Sequence, residues 1–140
     1  LTIMMIEGSQ RAAMRAVQRM VMAKILLAED DDSMRHFLGR ALERAGHEVF
    51  SVGQGDEALP VLAEGRFDLL LADIVMPEMD GIELARRAVA VDPGIRIMFI
   101  TGFAAVALRN RQTSQSDAKV LSKPFHLRDL VDEIDKTLAA

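Results

Sequence analysis

A small set of polar side chains follows short apolar runs in this sequence, and their types could support phosphoryl transfer. Glu29 and Asp30 come directly after the first run, Asp73 after a later one, and Thr101 and Lys123 after the last two. A carboxylate can attack phosphorus and carry the phosphoryl group as an acyl phosphate. Such a transfer depends on positioning and charge neutralisation, so a cation, an ammonium group and a hydroxyl are expected around the acceptor. Asp73 is therefore the candidate acceptor, with Thr101 and Lys123 near the transferred group.

The acidic residues of this set predict a magnesium site. Carboxylates gathered at one place repel each other, and the repulsion raises at least one pKa unless a cation compensates it. Oxygen ligands without histidine or cysteine select a hard ion, and a few carboxylates completed by water suit octahedral Mg²⁺ better than calcium. The predicted side-chain ligands are Glu29, Asp30 and Asp73.

Short apolar runs alternate with stretches of helical periodicity after Met22, and this alternation predicts a parallel sheet wrapped by helices. The predicted strands are 25–28, 48–52, 67–72, 95–100 and 119–122. The second strand alternates in part, as an edge strand would, and the third is almost continuously apolar, as a central strand would be. The carboxyl ends of parallel strands face the same way, and sites form beyond them where the strand order reverses. We therefore expect the polar side chains to converge at one edge of the sheet.

The helices are predicted from amphipathic spacing and from residues that favour helix ends. Asp31 or Asp32 is expected to cap the first helix, and Asp56 the second, which Pro60 should leave short and locally irregular. The stretch 103–118 has the weakest helical pattern, and we expect a mobile helix there.

Composition excludes several classes of function. A chain of 140 residues supports one ordinary core, and the absence of cysteine excludes disulfides and thiolate metal sites. The net charge of −4 makes the protein a poor non-specific binder of nucleic acid, because phosphate repels it. No apolar run approaches the roughly 18 residues that span a bilayer, and no secretory signal pattern is present. We therefore expect a cytoplasmic protein without membrane insertion and without a nucleic-acid partner.

The first 22 residues are interpreted as an extension outside the fold. The sequence begins at Leu1 and contains several methionines that could start a natural chain, the last of them Met22, directly before the first predicted strand. On this interpretation 1–22 is a non-native or disordered extension, and 23–140 is the domain. The alternative is a short basic amphipathic helix, built on the arginines of this extension, that contacts a membrane surface or a partner.

Four motifs, in this order, resemble the receiver domain of bacterial response regulators. They are Ile-Leu-Leu-Ala-Glu-Asp-Asp at 25–31, Asp-Ile-Val-Met-Pro-Glu-Met-Asp-Gly at 73–81, Ile-Thr-Gly at 100–102 and Lys-Pro-Phe at 123–125. The resemblance implies an α/β, flavodoxin-like three-layer sandwich with a five-stranded parallel sheet in the order 2-1-3-4-5 and five helices. It also implies that Asp73 is phosphorylated, with Mg²⁺ as cofactor, by a histidine kinase or histidine phosphotransferase.

The resemblance assigns roles to the other matching residues. It implies that Glu29 and Asp30 bind the metal together with the phosphoacceptor, and that the backbone carbonyl of Val75 is a further ligand. Thr101 corresponds to the hydroxyl that senses the phosphate, and Lys123 to the counter-ion of the phosphate.

The resemblance also bears on two positions near the fifth strand, Val120 and Pro124. The resemblance implies a cis peptide bond between Lys123 and Pro124. Val120 stands where many receivers carry an aromatic residue that turns inward on activation, so this chain lacks that aromatic gate. Phe103 is the candidate substitute for this aromatic residue.

Longer segments at 28–42, 99–108 and 120–127 resemble the CpdR group of alphaproteobacterial single-domain regulators. That resemblance implies a role in regulated proteolysis by the ClpXP protease during the cell cycle, with the ClpX unfoldase as a candidate partner. The output would then be a phosphorylation-dependent protein–protein contact.

Two other functions stay open from the sequence. Aspartate-dependent phosphatases and phosphotransferases that act on small molecules also use a strand-end Asp with Mg²⁺, although they typically carry a second Asp two residues on, where this chain has Val75. A receiver-like module that binds its partners without phosphorylation is the second alternative. We expect no enzyme activity beyond the protein's part in its own phosphorylation and dephosphorylation.

Overall fold

Five parallel strands and the helices between them form the fold. The computed structural model of the protein describes residues 22–102, 119–123 and 125–139. The strands are β1 (Lys24–Ala28), β2 (Glu48–Val52), β3 (Leu69–Asp73), β4 (Arg96–Thr101) and β5 (Lys119–Ser122). The helices in these ranges are α1 (Asp32–Arg44), α2 (Gly55–Glu64), α3 (Gly81–Val91) and α4 (Leu127–Ala139). Helix α4 is the fifth helix of the sequence prediction, because the predicted helix at 103–118 lies outside the described residues.

The strand order is β2-β1-β3-β4-β5, and all neighbouring strands pair in parallel. The predicted fold class, an α/β flavodoxin-like sandwich with the order 2-1-3-4-5, is confirmed. The chain winds from β1 outward to β2, and then from β3 outward in the opposite direction to β4 and β5. The reversal lies between β1 and β3, which is where a site is expected in a sheet of this kind.

Side chains alternate between the two faces of the sheet, and each face has its own hydrophobic core. On β1, Leu26 packs on the face covered by α2 and α3, whereas Leu27 packs on the face covered by α1 and α4. β3 is buried along its whole length, as predicted for a central strand. β2 exposes most of its residues, as predicted for an edge strand. Helices on both faces of the sheet complete the three layers.

Helix α1 starts directly after the acidic residues that follow β1. Asp31 is its N-cap, and the Asp31 carboxylate accepts a hydrogen bond from the Met34 N–H at 2.8 Å. Asp31 is thus the one of the two predicted caps that has this role. The cap places the start of the helix, and therefore the turn that carries Glu29 and Asp30, at the end of β1.

The prediction that Asp56 caps the second helix is wrong. α2 begins at Gly55, and Gln54 occupies the capping position without a side-chain hydrogen bond to the helix. Gly55 packs so closely against the turn before α3 that an added Cβ would lie 2.7 Å from the Met79 carbonyl oxygen. This tertiary contact sets the start of α2, and the helix then continues through Pro60.

Several predictions concern residues outside the described ranges. They are the N-terminal extension before Met22, the helix at 103–118 with Phe103, and the cis peptide bond at Pro124. These stay predictions. In the described ranges, no helix combines the length and apolar character that crossing a membrane requires.

Candidate functional site

Four of the predicted site residues meet at the carboxyl ends of neighbouring strands. Glu29 follows β1, Asp73 ends β3, Thr101 ends β4 and Lys123 follows β5. Glu29 and Thr101 are fully buried, and Asp73 is only 6% exposed. In the β3–β4 pairing, Asp73 stands opposite Ile100, the residue before Thr101. The parallel sheet therefore gathers at one edge residues that are far apart in the sequence.

Lys123 bridges two of these carboxylates. Its Nζ donates to Oε1 of Glu29 at 3.0 Å and to Oδ2 of Asp73 at 3.2 Å. The Lys123 backbone N–H donates to the Thr101 carbonyl oxygen at 2.6 Å, which sets the point from which the side chain leaves β5. Burial lowers the pKa of Lys123, but the hydrogen bond with Glu29 and the charges of Asp73 and Glu29 outweigh burial and raise the pKa. The ammonium group is therefore positively charged at neutral pH.

Glu29 titrates well above the ordinary range of a carboxyl group. Burial raises its pKa from 4.5 to about 7, and the charge of Asp73 adds to the increase. The Asp31 N–H, which donates to Glu29 Oε2 at 3.1 Å, and the Lys123 ammonium lower the pKa without cancelling the effect of burial. One ammonium group thus does not fully compensate the two buried carboxylates beside it. The site favours an additional positive charge.

The acidic residues fit the magnesium ion predicted from the sequence. Glu29, Asp30 and Asp73 offer ligand oxygens that all lie within 4.8 Å of one another. Opposite ligands of an octahedral Mg²⁺ are about 4.2 Å apart, so small side-chain movements would bring these oxygens into coordination. A donor set of oxygens alone favours a hard cation. Asp30 is exposed, which leaves the cluster accessible from water.

The turn after β3 holds the Asp73 carboxylate oxygen that does not contact Lys123. Asp73 Oδ1 accepts a hydrogen bond from the Val75 N–H at 3.1 Å, while Oδ2 accepts from Lys123. The Gly81 N–H donates to the Ile74 carbonyl oxygen at 2.9 Å. At Gly81 the chain passes so close to β3 that an added Cβ would collide with the Asp73 carbonyl oxygen. Each carboxylate oxygen of Asp73 therefore has its own donor, and only glycine fits at position 81.

The remaining predicted site positions are Val75, Val120 and Thr101. Val75 is 54% exposed, and ligation by its carbonyl oxygen stays a prediction. Val120 is half-buried against the core on the side of α2 and α3, with an aliphatic side chain where an aromatic gate would stand. Thr101 is positioned at the end of β4, and its phosphate-sensing role stays a prediction.

One further residue, which no sequence motif indicated, contacts the acidic turn. Arg35, in the first turns of α1, donates from Nη1 to the Glu29 carbonyl oxygen at 2.8 Å and from Nη2 to the Asp32 carboxylate at 2.6 Å. The available signal was a basic residue shortly after an acidic run. In the sequence alone, that pattern is also typical of an ordinary solvent-exposed helix face.

Known proteins resemble this chain over almost the whole domain. The sequence profile of the response regulator receiver domain matches residues 25–135. A response regulator receiver protein, CpdR, from Brucella abortus is 64% identical over 119 residues, which cover 85% of this chain and 99% of that protein. The sensor kinase CckA of the same species is 36% identical over 118 residues, which cover 83% of this chain but only 12% of the kinase. The crystal structure of a response regulator receiver protein from Sinorhizobium medicae superposes with a TM-score of 0.77 at 31% identity, over 84% of this chain and 94% of that one.

The raised pKa of Glu29 predicts that its carboxylate destabilises the metal-free fold. Because the folded pKa of about 7 exceeds the ordinary value of 4.5, the folded state gains stability as the pH falls through 7 towards 4.5. Glu29→Gln is therefore expected to raise the free energy of unfolding by about 2 kcal/mol at pH 8 and by much less at pH 5.5. Urea denaturation in EDTA at both pH values measures this difference.

The matched control is Glu48→Gln, which removes one negative charge from an exposed position on β2. Its free energy of unfolding should change by less than about 0.5 kcal/mol at either pH. A Glu29→Gln variant less stable than the wild type at pH 8 would contradict the prediction.

Proposed function

This chain belongs to the response regulator receiver family, and we propose that it is a single-domain switch phosphorylated on Asp73 by a histidine donor. The match to 99% of the Brucella CpdR protein supports the single-domain form, because that relative has almost no sequence beyond the matched region. The proposed site comprises Asp73, Thr101 and Lys123 around the phosphoryl group, and Glu29, Asp30, Asp73 and the Val75 carbonyl around Mg²⁺.

The position of the Lys123 ammonium between Asp73 and Glu29 carries this proposal. A carboxylate that must approach an anionic phosphoryl group is repelled by it unless a positive charge is already close. Lys123 supplies that charge 3.2 Å from Asp73 Oδ2, in a site where little water screens it. An aspartate that only ended a strand would not need a partially buried cation on one oxygen and a backbone N–H on the other.

In the proposed transfer, one carboxylate oxygen of Asp73 attacks phosphorus as the P–N bond of the donor phosphohistidine breaks. The electron pair of that bond returns to the imidazole nitrogen. Lys123 neutralises charge on the acceptor side, and the Val75 N–H holds the second carboxylate oxygen in place. Glu29, Asp30 and Asp73 would hold the Mg²⁺ ion, and the bound ion would supply the further positive charge that the carboxylates and the phosphoryl oxygens require.

We expect phosphorylation to redistribute the contacts of Lys123. The phosphoryl group carries a charge of about −1.5 to −2 and replaces the single negative charge of the Asp73 carboxylate, so the position gains up to about one negative charge. This charge competes with Glu29 for the same ammonium. The Lys123 backbone is bonded to the Thr101 carbonyl, so a movement of either residue is transmitted to the other. Since Val120 replaces the aromatic gate, we propose that this link between the ends of β4 and β5 is the start of the path to the surface.

We propose that the phosphate donor is a histidine kinase or histidine phosphotransferase, and that the protein acts as a CpdR-like regulator of ClpXP-dependent proteolysis in the cytoplasm. The support is the 64% identity to the Brucella protein named CpdR. The protein's own chemistry is limited, on this proposal, to acquiring and losing its phosphoryl group. ClpX is the proposed downstream partner.

The first experiment tests the acceptor. With Mg²⁺ and a radiolabelled phosphohistidine donor, the wild type should acquire a base-labile label. Asp73→Asn should acquire less than about one hundredth of that label, because an amide at this position has no carboxylate oxygen that could form the acyl phosphate. Asp132→Asn, at an exposed position on α4, is the control and should label normally. Steady turnover of a small phosphate ester that depends on Asp73 would instead indicate a phosphatase.

The second experiment measures separately the effects of the Lys123 ammonium on Mg²⁺ binding and on phosphorylation. Lys123→Met removes the ammonium that lies beside the metal ligands, so Mg²⁺ should bind at least about fivefold more tightly at pH 8. The same change removes the charge beside the acceptor and should slow phosphorylation by about 100-fold. Amide NMR titration with Mg²⁺ gives the first quantity and labelling kinetics the second.

Lys119→Met is the matched control, since Lys119 is an exposed residue at the opposite end of β5. It should change neither quantity more than about twofold. Weaker Mg²⁺ binding by Lys123→Met would mean that the ammonium supports the metal site rather than competes with the ion.

The third experiment tests the partner. Purified ClpX should be retained by this protein in only one of its two states, unphosphorylated or phosphorylated on Asp73, because the proposed output is a phosphorylation-dependent contact. Pull-down with the wild type before and after labelling, and with Asp73→Asn in parallel, measures this. The variant should behave as the unlabelled wild type, and equal retention of all samples, or retention of none, would contradict the ClpX proposal while leaving the switch intact.

A further inference from the structure

Arg35 is placed between the acidic turn and the first helix. Its side chain is 24% exposed, and it donates from Nη1 to the Glu29 carbonyl oxygen at 2.8 Å and from Nη2 to the Asp32 carboxylate at 2.6 Å. We propose that Arg35 is a positioning residue for the magnesium ligands Glu29 and Asp30, acting through the backbone of the β1–α1 turn. This inference rests on the proposed Mg²⁺ site, and it adds a residue that does not itself touch the ion.

The hydrogen bond from Arg35 to the Glu29 carbonyl oxygen acts on the backbone next to Asp30. That carbonyl belongs to the peptide plane that joins Glu29 to Asp30. Fixing the direction of the carbonyl therefore fixes the orientation of the plane, and with it the point from which the Asp30 side chain leaves the backbone. On the far side of Asp30, the Asp31 N–H donates to Glu29 Oε2 at 3.1 Å. The backbone is thus held on both sides of Asp30.

The turn needs this restraint because its carboxylates repel each other. Asp30 is exposed and lies in a cluster with Glu29 and Asp73. In the absence of a cation, the electrostatic energy of the Asp30 carboxylate is lower when its side chain turns away from the other two into water. A turn that is fixed in advance loses less conformational freedom when the cation binds. Arg35 supplies the restraint from outside the cluster, through the main chain, so its guanidinium group occupies no carboxylate oxygen of Glu29 or Asp30.

The geometry requires a guanidinium group rather than any positive charge. Its planar fork presents two donors in a fixed relation, one to a backbone carbonyl and one to the Asp32 carboxylate. The turn after β2 packs closely over this group, because an added Cβ at Gly53 would lie 3.1 Å from Arg35 Nη1. The Gly53 N–H is itself bonded to Glu57 Oε1 at 3.1 Å. Arg35 is therefore confined between α1 and this second turn.

Positioning and simple electrostatics predict opposite effects of removing Arg35. A positive charge close to a cation site repels the cation, so loss of the charge alone would strengthen Mg²⁺ binding. Loss of the restraint would weaken it. The sign of the change in Mg²⁺ affinity therefore separates the two roles.

The test compares Arg35→Met, Arg35→Lys and Arg40→Met with the wild type. Arg40 is exposed on the same helix, and no hydrogen bond or ion pair to it is found among the described residues, so Arg40→Met removes an equal charge without removing a restraint. The Mg²⁺ dissociation constant is measured by amide NMR titration at pH 8, with the Asp31 amide resonance followed as a local probe. Unfolding in EDTA confirms that each variant is folded.

We expect Arg35→Met to weaken Mg²⁺ binding by about tenfold, as is usual when a residue that orients a metal ligand is lost. Arg35→Lys keeps the charge but not the fork and should weaken binding by an intermediate factor, while Arg40→Met should stay within about twofold of the wild type. The Asp31 amide should shift in the two Arg35 variants before any Mg²⁺ is added.

Three outcomes overturn the inference. They are Mg²⁺ binding by Arg35→Met that is unchanged or tighter, a wild-type dissociation constant for Arg35→Lys, and equal weakening by Arg40→Met. If Arg35→Met does not fold, the Mg²⁺ dissociation constant of Arg35→Lys decides between the positioning role and its absence. Failure of the wild type to bind Mg²⁺ would instead count against the proposed metal site, so the two proposals fail in distinguishable ways.

Discussion

The repulsion among carboxylates at one edge of the sheet is the constraint on which the rest of this structure depends. Glu29 and Asp73 are buried close together, and burial raises the pKa of Glu29 to about 7. Lys123 compensates part of this charge by bonding to both residues. The compensation is incomplete, which suits the proposed switch, since a site already neutral would have little affinity for a cation and little response to a phosphoryl group.

The scaffold holds this unfavourable arrangement by rigid contacts that lie outside the cluster. The strand pairings fix where β1, β3, β4 and β5 end, and the two hydrophobic cores fix the helices on both faces. Around the site itself, Gly81 lets the chain pass against Asp73, and Arg35 holds the turn after β1. Stability gained in the cores offsets the cost of the charged edge, a distribution that is common at functional sites.

Lys123 connects the chemistry of the site to the outer strand. Its ammonium contacts carboxylates from β1 and β3, whereas its backbone is bonded to Thr101 at the end of β4. A change in charge at Asp73 therefore acts, through Lys123, on the ends of β1, β4 and β5. This makes Lys123 a physical link between the proposed acceptor and β5, although Val120 stands where many receivers carry an aromatic side chain.

The sequence by itself determined the fold class and which polar residues lie together at the candidate site, because both depend on local patterns. Apolar runs indicate strands, and a polar residue after each run must lie at a strand end, so Glu29, Asp73, Thr101 and Lys123 could be named in advance. Only the tertiary structure decided how these groups pair, since Lys123 reaches Glu29 across 94 positions of sequence. It also decided that α2 starts at Gly55 rather than under an Asp56 cap, and that Arg35 restrains the acidic turn. Those features depend on distances between separate elements, which the packing of the whole domain sets and no local pattern encodes.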